Sequence, residues 1–166
     1  MHRSDYLMKF LSPGIYQPKA WLAYHQIREQ ILTVLPSARI EHIGSSALEG
    51  IVSKGDLDIF VGVDASSFAH AIGVLQSLRF TIKENTLRTD SLCPFESFEY
   101  QLDVGVQLVA NGSEFENFLR FRDLMNENES LREQYNKLKL DATGLEPQQY
   151  REIKSRFIES LLQSDG

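Results

Sequence analysis

Two aspartates one residue apart, at the entrance to an apolar run, constrain this chain more than any other feature. The run is Asp56-Leu57-Asp58-Ile59-Phe60-Val61-Gly62-Val63, within the stretch IEHIGSSALEGIVSKGDLDIFVGV that covers residues 40–63. Branched and aromatic residues at this density read as a core β-strand. Side chains alternate along a strand, so Asp56 and Asp58 project to one side while Leu57 and Ile59 point into the core. An ionised carboxylate buried without a partner is costly, so the acids sit at the strand's margin or meet something positive. Two like charges this close repel unless a cation lies between them. Hard cations such as Mg2+ take oxygen ligands and leave positions for phosphate and water, which makes the pair a candidate metal site.

The rest of the chain supplies helices to cover such a strand. KAWLAYHQIREQILTVLP places Tyr24, Ile27, Ile31 and Leu35 at helical spacing, with Pro18 near its start and Pro36 closing it. RIEHIG reads as a short strand ending at Gly44. SSFAHAIGVLQSLRF returns to helical period, and FTIKEN reads as a strand with a polar face. Residues 86–98, with Pro94 and mixed polarity, read as a loop or irregular edge. EYQLDVGVQLVA is a clear strand, ended by Asn111-Gly112. Ser113, with Glu116 three residues on, has the spacing of a capping box and opens a helical C-terminal third. Leu131, Tyr135 and Leu138 mark one helix there; Tyr150, Ile153, Phe157 and Leu161 mark the last, with Gly144 as a stop between them. The order predicts an α/β (α+β) fold whose sheet is covered by helices.

At 166 residues, 42% apolar and 24% charged, the composition is that of one soluble globular domain, with a sheet core over 1–112 and helices over 113–166. No apolar run is long enough to span a membrane, and MHRSDYLMKFLSPG carries no leader pattern. The single cysteine, Cys93, excludes an internal disulfide and a multi-cysteine zinc site, so the expected compartment is the cytoplasm. A net charge of −6 argues against nucleic acid as a partner.

Gly44-Ser45 complements the acids. A glycine after a strand allows close backbone approach, and a serine starting a short helix offers N–H groups and a hydroxyl to an anion. Ser46 and Lys54 lie close enough in sequence to reach the same phosphates. Asp103, on a strand expected beside the first, supplies a third acid. Two metals about 3.5–4 Å apart would then activate an attacking oxygen and steady a leaving group. In that arrangement Asp58 bridges both ions, Asp56 completes one, and Asp103 holds the catalytic one and acts as base.

Gly-Ser, a spacer and Asp-x-Asp resemble the signature of the DNA polymerase beta-type nucleotidyltransferase superfamily. More specifically, IEHIGSSALEGIVSK is similar to the GrpB family, whose pattern runs roughly Glu-His-Ile-Gly-Ser-Thr-x-x-x-Gly-x-x-x-Lys. The likeness resumes at FRDLM, YNKLK and YREIKSRFIESLL. It implies a nucleotidyltransferase-like mixed sheet, Mg2+ or Mn2+ as cofactor, a nucleoside triphosphate as substrate, and transfer of a nucleoside monophosphate to an acceptor that is a small molecule or a protein. The alternatives are a non-catalytic domain binding a nucleotide or phosphorylated ligand on the same scaffold, and a phosphate-ester hydrolase. The chain departs from the family where Gly55 stands in place of a proline, where Asp56 completes the acid pair, and where Gly105 and Gln107 occupy positions at which family members tend to carry histidines.

Four further readings concern neighbouring residues. His42 supports the turn through a hydrogen bond or moves a proton. Glu41 points to the opposite face and forms a salt bridge. Arg122 holds a substrate anion or ties the C-terminal helices to the sheet. Phe95, Phe98 and Tyr100 pack an edge strand or stack on a base.

Overall fold

A computed structural model describes residues 7–165. Part of the stretch read for a leader, residues 1–6, lies outside the described residues. The elements run α1 (Pro13–Val34), β1 (Arg39–Ile43), β2 (Leu57–Val63), α2 (Phe68–Ser77), β3 (Thr81–Ile82), β4 (Leu92–Ser97), β5 (Val104–Ala110), α3 (Asn117–Asn126), α4 (Glu129–Asp141) and α5 (Pro147–Asp165). The strands form one mixed sheet in the order β1-β2-β5-β4-β3. β2 and β5 are its parallel centre, with Asp58 opposite Gly105 and Phe60 opposite Gln107. β1 pairs antiparallel with β2, and β4 with β5.

Alternation along the strands builds two different faces. Ile40, Leu57, Ile59, Val61, Val106, Leu108 and Phe95 pack with Ile27 and Ile31 of α1 and Leu75 of α2 in the main core. The opposite face carries Ile43, Phe60, Leu92 and Val109, which pack with Leu119 of α3. The C-terminal helices meet over a further cluster in which Leu48 and Ile51 join Met125 and Tyr135. Among the described residues no helix is long and apolar enough to cross a membrane.

Three local readings are corrected. α1 begins at Pro13, so Pro18 lies inside it and removes the N–H that would bond the Gly14 carbonyl. Residues 92–97 are an interior strand, not a loop or edge. Pro94 is tolerated because its carbonyl accepts from Lys83 N (2.9 Å), so its nitrogen also faces β3. The bond its missing N–H would have made is to Lys83 O, which instead accepts from the Thr86 hydroxyl (3.1 Å), and β3 pairs no further. The expected capping box does not form, and Ser113 N bonds Ala110 O (3.1 Å) instead of Glu116. Glu116 accepts from Gly112 N (2.7 Å), whereas the Ser113 hydroxyl is buried without a partner among the described residues.

Candidate functional site

The loop between β1 and β2 is held by side chains from three helices. Gly44 starts it at φ 74°, a conformation that favours glycine, and Ser45–Ala47 follow as one tight turn. From α1, the Tyr16 hydroxyl donates to Ile51 O (2.7 Å) and the Gln17 amide to Leu48 O (2.8 Å). From α3, Asn126 donates to Ala47 O (3.0 Å) and accepts from Glu49 N (3.2 Å). From α4, Asn136 donates to Gly50 O (2.8 Å) and accepts from Val52 N (2.9 Å). These bonds satisfy loop backbone groups that have no strand partner, and they fix where Ser45 stands.

Lys139 of α4 reaches the same loop from below. It is 2% exposed, donates to the Ser45 hydroxyl and to Val52 O (2.9 Å), and its ammonium lies 4.6 Å from the Tyr135 ring centre. Burial, reinforced by nearby Lys154, pushes its pKa down to about 7, against the pull of Asp56 and Asp58. Burial also raises the pKa of the Tyr135 phenol, with the nearby Ser45 and Tyr150 hydroxyls opposing it.

Asp58 sits in a slot between two glycines. A Cβ at Gly44 would collide with its Oδ2, and one at Gly105 would come within 2.8 Å of its Oδ1. Its pKa is pushed up to about 6, first by burial and then by Asp56, with Lys154, Lys54 and Lys83 opposing. Its carboxylate borders a cavity of about 360 Å³ between the sheet and helices α3 and α5. Gly44, Ser45, Gln107, Tyr135 and Lys154 line the same cavity, together with Phe115, Phe118, Phe121, Ile158 and Leu162. The lining joins the Ser45 hydroxyl, Lys154 and two carboxylates, Asp58 and Glu114, to a largely aromatic wall, with Lys139 held beneath the hydroxyl, a set suited to a polar group attached to an apolar body.

The expected site residues are partly brought together. Gly44, Ser45 and Asp58 meet at the cavity. Asp56 stands one residue before β2 and accepts from the Ser53 hydroxyl (3.1 Å). Asp103 is exposed just before β5, where its carbonyl accepts from Leu57 N (2.9 Å). Among the described residues no three His, Cys, Asp or Glu side chains gather closely enough to hold a metal, so the three-acid arrangement is not assembled. Lys54 is exposed and lies outside the cavity lining. Ser46 is turned away from the cavity and shares a 2.6 Å hydrogen bond with His42 Nε2. His42 stacks on Tyr24 (4.9 Å) and meets the edge of Trp21 (4.1 Å). Burial, then His25 and Arg122, push its pKa down to about 3, so it is a neutral support for the turn.

Glu41 accepts from Arg122 (3.1 Å), and the same guanidinium donates to His42 O (3.2 Å). Arg122 therefore ties α3 to β1 and does not line the cavity. Phe95 is buried in the main core, Phe98 is exposed, and Tyr100 donates to Gln30 (3.1 Å). Sequence reasoning missed Lys139 and Lys154 as site residues. The available signal was a lysine in the apolar stripe of each helix: Tyr135 and Lys139 in α4, and Tyr150, Lys154 and Ile158 in α5.

The fold is nucleotidyltransferase-like. Two structures of the Cid1 poly(U) polymerase, one with MgGTP and one with MgATP bound, match 70% and 74% of this chain and 39% and 40% of theirs. Their TM-scores are 0.51 and 0.53 at 15% and 12% identity, a likeness of fold. The conserved protein GrpB from Enterococcus faecalis matches with a TM-score of 0.66 at 16% identity, over 93% of this chain and 99% of that one. The model of the family described as GrpB protein matches residues 15–164, and the chain belongs to the GrpB family. A UPF0157 protein of Vibrio cholerae is 44% identical over 155 residues, 93% of this chain and 82% of that one. A UPF0157 protein of Deinococcus radiodurans is 32% identical over 160 residues, 94% of this chain and 81% of that one.

Proposed function

We propose that the protein binds a phosphorylated ligand of the nucleoside triphosphate kind, using a nucleotidyltransferase-like scaffold as a binding module. The observation that carries this reading is the Ser45 hydroxyl, held from beneath by the buried Lys139 ammonium and set beside Asp58 and Lys154 at one cavity. Ser45 and Lys154 would take the phosphates, Lys139 would lend its charge through Ser45, and Gly44 leaves the backbone open to them. Asp56 is close enough for its charge to disfavour ionisation of Asp58, and two carboxylates with phosphates suit one Mg2+. When bound, that ion would supply charge neutralisation between the acids and the phosphates.

Calorimetry with ATP and with inorganic tripolyphosphate, each with and without Mg2+, tests this. Asp58→Asn is expected to abolish the Mg2+-dependent part of binding while the circular dichroism spectrum stays that of the parent. A variant that binds as well as the parent in Mg2+ refutes the metal role. No binding of either compound by the parent refutes the reading as a whole.

A second reading, nucleotidyl transfer to an acceptor, draws on the same-side Asp56 and Asp58 and on the fold. Asp103, exposed before β5, weighs against it. Pyrophosphate released from a nucleoside triphosphate by the parent and lost in Asp58→Asn would favour transfer over binding alone.

A further inference from the structure

The β1–β2 loop borders a second cavity, also of about 360 Å³, lined by Gln17 and Trp21 of α1, loop residues 46–49 and Asn126 at the end of α3. It shares no lining residue with the first: Ser45 faces one and Ser46 the other, so its occupancy is independent of the phosphate reading above. Gln17 and Trp21 stand four residues apart on α1 and so share a face. The Trp21 indole is fixed by edge contacts with His42 (4.1 Å) and Tyr24 (5.7 Å), yet stays 41% exposed. Hydrogen bonding in the loop leaves acceptors open. The Gln17 amide nitrogen donates to Leu48 O (2.8 Å) and Ser45 O (3.5 Å), which leaves its oxygen without a partner among the described residues. Asn126 is fixed with its nitrogen on Ala47 O and its oxygen on Glu49 N, and the Ser46 hydroxyl is engaged by His42. The Glu49 side chain is 86% exposed and meets Arg132 at 4.0 Å, while Nη1 of Arg132 goes to Met125 O and Asn126 O (2.9 Å each). A ligand is thus offered one free carbonyl oxygen, one carboxylate and one open indole, over the buried Leu48.

We propose that this pocket binds a primary ammonium group on a short alkyl chain: the ammonium donates to the Gln17 oxygen and the Glu49 carboxylate against the Trp21 indole, and the alkyl chain lies on Ala47 and Leu48. Indole is the strongest aromatic partner for a cation, and a charged donor bonds an oxygen more strongly than a neutral one. An anion would meet Glu49 and the negative face of the indole, and both repel it. A neutral alcohol forgoes both attractions. A quaternary ammonium keeps the contact with the ring but has no N–H for the Gln17 oxygen. Arg132 opposes part of the attraction from behind Glu49; its guanidinium is held by backbone carbonyls and does not line the pocket. His42, against the indole, is neutral with a pKa of about 3 and adds no competing charge.

Trp21 is the chain's single tryptophan, so its fluorescence reports on this pocket. Titration of the full chain with n-butylammonium chloride at pH 8 and constant ionic strength is expected to give a saturable change. 1-Butanol, butyrate and tetramethylammonium serve as comparisons, each expected to bind at least about fivefold more weakly, the scale of one cation–π contact or one charged hydrogen bond. Glu49→Gln, at an exposed position whose backbone bond to Asn126 is kept, is expected to weaken butylammonium by about fivefold with the melting temperature unchanged. No saturable response to butylammonium, by fluorescence and by calorimetry, overturns the proposal. So does 1-butanol or butyrate binding as tightly as butylammonium, or Glu49→Gln binding as tightly as the parent. Tetramethylammonium as the tightest probe overturns the role given to the Gln17 oxygen, and with it the primary amine.

Discussion

Asp58 is an acid held against its own ionisation. Its pKa in the folded chain, about 6, lies above the ordinary carboxylate value because burial and Asp56 outweigh the surrounding lysines. A group shifted this way favours the folded state below the unfolded pKa, and that contribution is lost as pH rises through 6. Asp58→Asn is therefore expected to gain stability relative to the parent between pH 4 and pH 8, by about 1–3 kcal/mol. Urea midpoints of both proteins at the two pH values in EDTA measure it, and an unchanged difference would contradict the assignment. Residues of this kind were legible in the sequence, because the alternation that pairs Asp56 with Asp58 and the conformational freedom of Gly44 are local facts. Lys139 was not, since its contact with Ser45 joins residues 94 positions apart and depends on how α4 docks under the loop. Arg122 and Ser46 were legible as polar groups near the turn. Which of several hydrogen bonds each would make was decided by packing against β1 and His42.

Among the elements, the β1–β2 loop behaves as part of the helical layer. Asn136 closes two hydrogen bonds with its backbone, one as donor and one as acceptor. Asn136→Ala is expected to cost about 1–3 kcal/mol, since it leaves one loop N–H and one carbonyl short of partners. A lower denaturant midpoint at constant m-value, with weaker ATP binding, would bear this out; unchanged binding would show that the loop holds its shape without α4. The long periodic helices and the two central strands were readable from pattern alone. β4 was not, because Pro94 argues against an interior strand until it is known that β3 ends at Ile82 and that Thr86 bonds the Lys83 carbonyl the proline cannot serve.

On the scale of the whole molecule, the cavity exists because α3 and α5 cross a sheet face that α1 and α2 leave uncovered. α5 is attached through Phe157, whose ring stacks on Tyr135 at 5.2 Å between centres. Phe157→Ala is expected to destabilise the protein by about 2–4 kcal/mol. Amide exchange in residues 147–165 is expected to quicken while β2 and β5 keep their protection, the sign of a local opening. Uniform loss of protection would mean that α5 and the sheet unfold as one cooperative unit. The slot that holds Asp58 also limits how the sequence can drift. Positions 44, 58 and 105 form a set: a side chain at 105 requires the Asp58 carboxylate to swing toward the cavity, whereas one at 44 meets the Cβ and Cγ of Asp58 as well and leaves it no such escape.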